Sequence, residues 1–190
     1  ISNWMEAYTL LLFFLVMLNN IAVKTTTVRD TINILQTIND GDIIVSKGEI
    51  FALGFFSPGN SKNRYVGIWF LKIPIKTVVW VANRDSPLTD SSGVLMLKET
   101  GVLVLLNHNK SVIWSSNSSR SAQYPVAKLM DSGNFIVQDG NNNNDTKDLL
   151  WQSFYYPVDT ILAGQKLGRN LIMGMNRYLS SWSSSDDPSQ

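Results

Sequence analysis

An all-β fold assembled from a repeated unit is predicted by three observations. Three tryptophans each close a short β-type run, at Val78-Val79-Trp80, Val112-Ile113-Trp114 and Leu149-Leu150-Trp151. They stand 34 and 37 residues apart, a spacing expected of a supersecondary unit that cannot bury its apolar face alone. The first two runs continue into near-twins, Val81-Ala82-Asn83 and Ser115-Ser116-Asn117. No segment of the body sustains the 3.6-residue apolar period of an amphipathic helix.

The elements follow in order from turn chemistry and apolar runs. Residues 30–38 open the body, and Asn39-Asp40-Gly41-Asp42 marks a turn. Strands are predicted at 43–45 and 50–56 around Lys47-Gly48, and Ser57-Pro58-Gly59-Asn60 then breaks the chain. Aromatic and β-branched residues resume it over 65–71, and Pro74 precedes a strand over 77–81. The second unit reads as strands at 94–97, 102–106 and 112–114. The third reads as 127–130, 134–138 and 149–151, with the Asn141-Asn142-Asn143-Asn144 run as an insertion. Thr100-Gly101 and Ser132-Gly133 hold equivalent turns. Each unit is thus expected to be a local meander, with Trp80, Trp114 and Trp151 filling the axis where the units meet. Removing one such buried ring should cost about 3–5 kcal/mol.

Composition narrows the function. Sixteen Lys and Arg balance fifteen Asp and Glu, and only 16% of residues are charged. A nucleic-acid binder would show a basic stripe, so none is expected as a partner. The absence of cysteine removes thiol catalysis, thiolate metal sites and redox switching. Near the N-terminus, the apolar block 10–18 is too short to span a bilayer but suits a signal-peptide core. A signal peptide over 1–23 is expected, with Met5 as an alternative start. Glu6 precedes the block without any Lys or Arg, and Ala22 is the nearest small residue for cleavage. Sequons at Asn109, Asn117 and Asn144 agree with secretion.

Six segments in register carry a family resemblance: Phe51-Ala52-Leu53-Gly54-Phe55-Phe56, Tyr65-Val66-Gly67-Ile68-Trp69, Val79-Trp80-Val81-Ala82-Asn83-Arg84-Asp85, Asp131-Ser132-Gly133-Asn134-Phe135, Leu150-Trp151-Gln152-Ser153-Phe154 and, further on, Pro157-Val158-Asp159-Thr160. Together they resemble the extracellular start of plant S-locus glycoproteins and S-domain (G-type lectin) receptor-like kinases. The resemblance implies a β-prism II bulb-lectin fold of three sheets around a pseudo-threefold axis. It also implies a bulb-type lectin domain over 24–155 and the truncated start of an S-locus glycoprotein region over 156–190. Cysteine-rich modules, a membrane span and a Ser/Thr kinase would lie beyond this chain, whose own role would be non-catalytic.

The mannose-binding relatives are similar to one another in a Gln-x-Asp-x-Asn-x-Val-x-Tyr strand, once per repeat. In the third repeat here, Met130, Ser132, Asn134, Ile136 and Gln138 occupy those positions. The second has Lys98, Thr100, Val102, Val104 and Leu106, and the first shows no version around 49–54. Little mannose affinity is therefore expected. Other candidates reduce to structure: His108 as a solvated loop residue, Asp40, Asp42, Asp186 and Asp187 as turn and cap residues rather than metal ligands, and Arg84-Asp85 as a hairpin-end ion pair. Asn83-Arg84-Asp85 lacks every companion motif of a kinase. No catalytic residue, metal or cofactor is expected. The partners expected are an extracellular glycan or a small secreted protein, with homo- or hetero-dimerisation, through loops such as 57–64 and 141–148. A weak residual lectin and a soluble truncated product acting through protein contacts are the alternatives. Membrane attachment would come only through a C-terminal span absent from this sequence, placing the chain in the secretory pathway as an extracellular or plasma-membrane ectodomain.

Overall fold

A computed structural model describes residues 29–118, 120–141, 149–171 and 174–190. The signal peptide expected over 1–23 and the sequon at Asn144 lie outside the described residues. Three four-stranded antiparallel sheets form a prism. The first sheet orders β3 (Ile43–Val45), β4 (Phe51–Phe56), β5 (Tyr65–Phe70) and β6 (Val78–Val81). In the second sheet β2 (Thr37–Asn39) pairs with β7 (Val94–Leu97), followed by β8 (Leu103–Leu106) and β9 (Val112–Ser115). The third joins β1 (Thr31–Asn33), β10 (Pro125–Leu129), β11 (Phe135–Asp139) and β12 (Trp151–Gln152).

The units are not self-contained meanders. Residues 31–45 run around the prism and give one edge strand to every sheet: β1 to the third, β2 to the second, β3 to the first. A six-residue pattern, Thr31-Ile32-Asn33 then Thr37-Ile38-Asn39, sets this course. Ile32, Ile38 and Ile44 fall six residues apart and are all 0% exposed. Each step between strands is a tight turn. The Gln36 N–H donates to the Asn33 carbonyl at 2.9 Å, and Gln36 Oε1 accepts the Asn33 N–H at 3.2 Å. The Asp42 N–H likewise donates to the Asn39 carbonyl at 3.0 Å, with Asp42 Oδ2 accepting the Asn39 N–H at 2.9 Å. Gly41, at φ 94°, supplies the left-handed backbone that the second turn needs.

Across the ladders, Trp80, Trp114 and Trp151 stand opposite Ile68, Leu105 and Val137. Their ring centroids lie 6.0, 5.8 and 5.8 Å apart at interplanar angles of 76°, 66° and 75°. That is the edge-to-face geometry aromatic quadrupoles prefer. Trp80 and Trp151 are buried, and Trp114 is half-buried against the same core. Beyond each tryptophan, a buried polar side chain returns to the neighbouring strand. Asn83 Oδ1 accepts the Val66 N–H, Ser116 Oγ the Leu103 N–H and Ser153 Oγ the Phe135 N–H, at 2.9, 3.0 and 2.9 Å. These bonds satisfy strand-end donors that burial would otherwise leave unpaired.

After β12, the segment 153–190 folds back on the prism. A single 3-10 turn, Ser153–Tyr155, leads to the hairpin of β13 (Gly168–Asn170) and β14 (Met175–Arg177). Arg84 anchors this segment and does not form the expected ion pair with Asp85. It is 7% exposed, donating Nε to the Pro188 carbonyl at 2.7 Å and Nη2 to the Ser180 carbonyl at 3.4 Å. Burial is the reason: a carbonyl cradle holds a guanidinium that a solvated hairpin end would leave in water. Loop 57–64 is covered by the same segment, with the Asn60 N–H bonded to Asp186 Oδ1 at 3.3 Å and Phe56 packed on Trp182.

Replacing Ile38 with Ala should cost about 2–5 kcal/mol in chemical denaturation, because the edge strand leaves a cavity under the second sheet. Leu35→Ala, in the exposed turn between β1 and β2 at 92% exposure, should change stability by no more than about 0.5 kcal/mol.

Candidate functional site

The turn joining β10 to β11 presents the third repeat's motif positions. The Gly133 N–H donates to the Met130 carbonyl at 3.0 Å, and Met130 bonds the Asn134 carbonyl at 2.9 Å. Gly133 has φ 82°, and a Cβ there would stand 2.6 Å from Leu162. Backbone and space both call for glycine. Met130, Ser132, Asn134 and Ile136 therefore fall on one side and line a cavity of ≈ 480 Å³. Leu149, Gln152, Phe154 and Tyr155 close it from β12 and the 3-10 turn; Gly164, Lys166 and Arg177 close it from the returning segment. Gln138 is not in this wall. It stands opposite Val126 at the far end of the β10–β11 ladder.

The motif asparagine is turned inward. Asn134 Nδ2 donates to Gln152 Oε1 at 2.8 Å, while its Oδ1 accepts the Ser153 hydroxyl and the Phe154 N–H, both at 3.2 Å. These bonds use most of what an amide offers and clamp β11 to the chain leaving β12. Ile136 is buried and apolar; Ser132 is exposed and short. Beside the cavity, the Asp131 carboxylate accepts the Gly48 N–H at 2.6 Å, a bond that holds its pKa below the ordinary aspartate value.

The other repeats carry less. The second repeats the same turn, with Gly101 at φ 83° bonded to the Lys98 carbonyl at 2.9 Å, but Val102 stands where Asn134 does. In the first, the register opposite Trp80 makes β5 the equivalent of β8 and β11. The motif positions there are Ser61, Asn63, Tyr65, Gly67 and Trp69 rather than 49–54. Tyr65 is 1% exposed, and burial pushes its phenol pKa up, so it offers nothing to a ligand.

Remaining candidates are structural. His108 is exposed with Nδ1 3.5 Å from Asp90. Asp42 serves the turn described above. Asp40 does more than cap a turn, pairing both carboxylate oxygens with Arg64. Asp186 Oδ1 accepts the distant Asn60 N–H at 3.3 Å and the Ser185 hydroxyl at 3.0 Å, and Asp187 Oδ1 accepts the Ser189 N–H at 3.0 Å. Among the described residues, no three His, Asp or Glu side chains gather as a metal site would require. A second cavity of ≈ 490 Å³ opens at the end of the axis, between the tryptophans, Tyr155, Tyr156 and Tyr178. Sequence reasoning missed it, although the Tyr155-Tyr156 pair just after the third tryptophan was its signal. Asn109 and Asn117 are exposed.

A prism of three sheets on a tryptophan axis, with a motif strand at each face, defines a bulb-type lectin module. A model of the family described as D-mannose binding lectin matches residues 77–183. The S-locus-specific glycoprotein S6 of Brassica oleracea is 44% identical over 189 residues, which are 97% of this chain and 42% of that one. The receptor-like serine/threonine-protein kinase SD1-7 of Arabidopsis thaliana is 46% identical over 155 residues, 80% of this chain and 18% of the kinase. Among solved structures, a monomeric monocot mannose-binding lectin from Gastrodia elata aligns at 18% identity and a TM-score of 0.49, over 65% of this chain and 96% of that one. This chain belongs to the D-mannose binding lectin family, and it spans less than half the length of these curated relatives. The residues matched are those of a non-catalytic module.

Asn134→Ala should lower stability by about 1–3 kcal/mol, since it strands the buried Phe154 N–H and frees the Ser153 hydroxyl. Denaturation midpoints of the variant and the parent chain measure this.

Proposed function

We propose that this chain is the extracellular recognition module of an S-locus-type glycoprotein or receptor-like kinase, and that it has lost its grip on neutral mannose. The observation that carries this reading is the inward amide of Asn134, the one polar motif residue retained and already committed to the fold. Met130 and Ser132 replace the amide and carboxylate that would hold vicinal hydroxyls, and Gln138 lies outside the cavity. A millimolar sugar site is worth about 4 kcal/mol. One charge-assisted hydrogen bond is worth about 1.5–3 kcal/mol and each neutral one about 1, so these losses remove most of it.

Domain limits of 1–23 for a signal peptide, 24–155 for the lectin and 156–190 for the start of the next region go with this proposal. The end of β12 at Gln152 supports the second boundary. Exposure of Asn109 and Asn117 supports glycosylation in the secretory pathway. Partners on this reading are an extracellular glycan or a small secreted protein, with self- or hetero-association, and membrane attachment through a segment outside this sequence. The surviving third-repeat cavity favours a second reading, a weak residual lectin.

Calorimetric titration with methyl α-mannoside should show no saturation up to about 10 mM. Saturable binding with Kd below about 1 mM overturns the loss of the neutral site and favours the second reading.

A further inference from the structure

The third-repeat cavity differs from a neutral-sugar pocket in its charge. Among the described residues its wall contains two cations, Lys166 and Arg177, and no Asp or Glu. Both arrive from the segment after the prism, which the lectin repeats themselves do not supply. Neither has a carboxylate partner among the described residues. Arg177 lies with its guanidinium carbon 4.1 Å from the centre of the Tyr155 ring, a cation–π contact that holds the group against the ring. Its Nε is buried without an acceptor among the described residues, and a buried donor of that kind calls for one. The opposite wall is apolar at Met130 and Ile136. Between them, Ser132 keeps a hydroxyl, and Gln152 accepts from Asn134 through Oε1 while its NH₂ has no protein acceptor among the described residues.

We infer that this cavity, resting on the reading that neutral mannose is lost, takes an acidic saccharide unit whose carboxylate meets Arg177 and Lys166. The apolar wall would carry the ring, while Ser132 and the Gln152 amide serve its hydroxyls. The exchange is chemically coherent. Replacing the motif's carboxylate by Ser132 removes the group that would repel an anionic sugar, and the two cations supply attraction in its place. A planar guanidinium held on an aromatic ring suits a planar carboxylate, with little further ordering to pay for on binding.

The test titrates the whole chain with trigalacturonate, with its methyl ester as the neutral twin, by calorimetry. The acid should bind at least about tenfold more tightly than the ester, and its affinity should fall as NaCl rises, because part of the attraction is exposed to screening. Arg177→Gln should weaken acid binding about tenfold; Lys166→Gln, at an exposed position, should weaken it about two- to fivefold. Arg177 also packs on Tyr155, so Arg177→Lys separates charge from packing and should keep the preference for acid over ester. Equal binding of acid and ester, no binding of the acid, or acid binding indifferent to both Gln variants would each overturn the inference. Saturable mannoside binding would strike the underlying reading instead, so the two failures are distinguishable.

Discussion

Trp80, Trp114 and Trp151 meet edge-to-face on the axis, each on the last strand of its sheet. Their contact makes one core from three sheets that would each be marginal alone. The Nε1 groups of Trp80 and Trp151 are buried without a hydrogen-bond acceptor among the described residues, within the edge-to-face packing of the triad. Such an arrangement tolerates little change in ring size or tilt, because each indole is both edge and face to its neighbours. The aliphatic residues opposite the rings and the buried hydroxyls and amides beyond them then follow a threefold order.

The ribbon 31–45 completes what the triad begins. By giving each sheet an edge strand, it ties three local hairpin sets together through non-local ladders and places Ile32, Ile38 and Ile44 under the three sheets in turn. One continuous stretch thereby pairs the outer sides of β10, β7 and β4. The same economy appears at the site. Asn134 holds β11 to the chain beyond Trp151, so the position a sugar would use is part of the joint that sets the third tryptophan. On the proposed reading, recovering a neutral-sugar grip there would mean releasing that joint, so the proposed loss of the motif and the retention of the fold rest on one residue.

Much of this was legible in the sequence. The tryptophan period and the Gly-centred turns at 101 and 133 follow from residue identity and local turn chemistry, and the strands at 43–45 and 94–97 came out at their observed limits. The edge strands β1 and β2 did not, because their partners lie about ninety and sixty residues away in sequence and pairing at that range leaves little local trace. The Thr-Ile-Asn repeat was there to be read as two short strands around a turn. The first repeat was placed one strand too early, since only the register opposite Trp80 identifies β5 as its motif strand. Arg84 looked like a surface residue because the carbonyls that bury it come from residues 180–188. At the site, four of the five motif positions were found together, whereas the cations of the cavity wall come from a segment with no motif of its own.

The triad and the ribbon together make the three sheets one cooperative body. Native-state hydrogen exchange of the slowest backbone amides in β5, β8 and β11 tests this most directly, one central strand from each sheet. All three should exchange with the same opening free energy, equal to that of global unfolding, and respond together to added denaturant. A sheet whose slowest amides open well below the global value, independently of the other two, would contradict it.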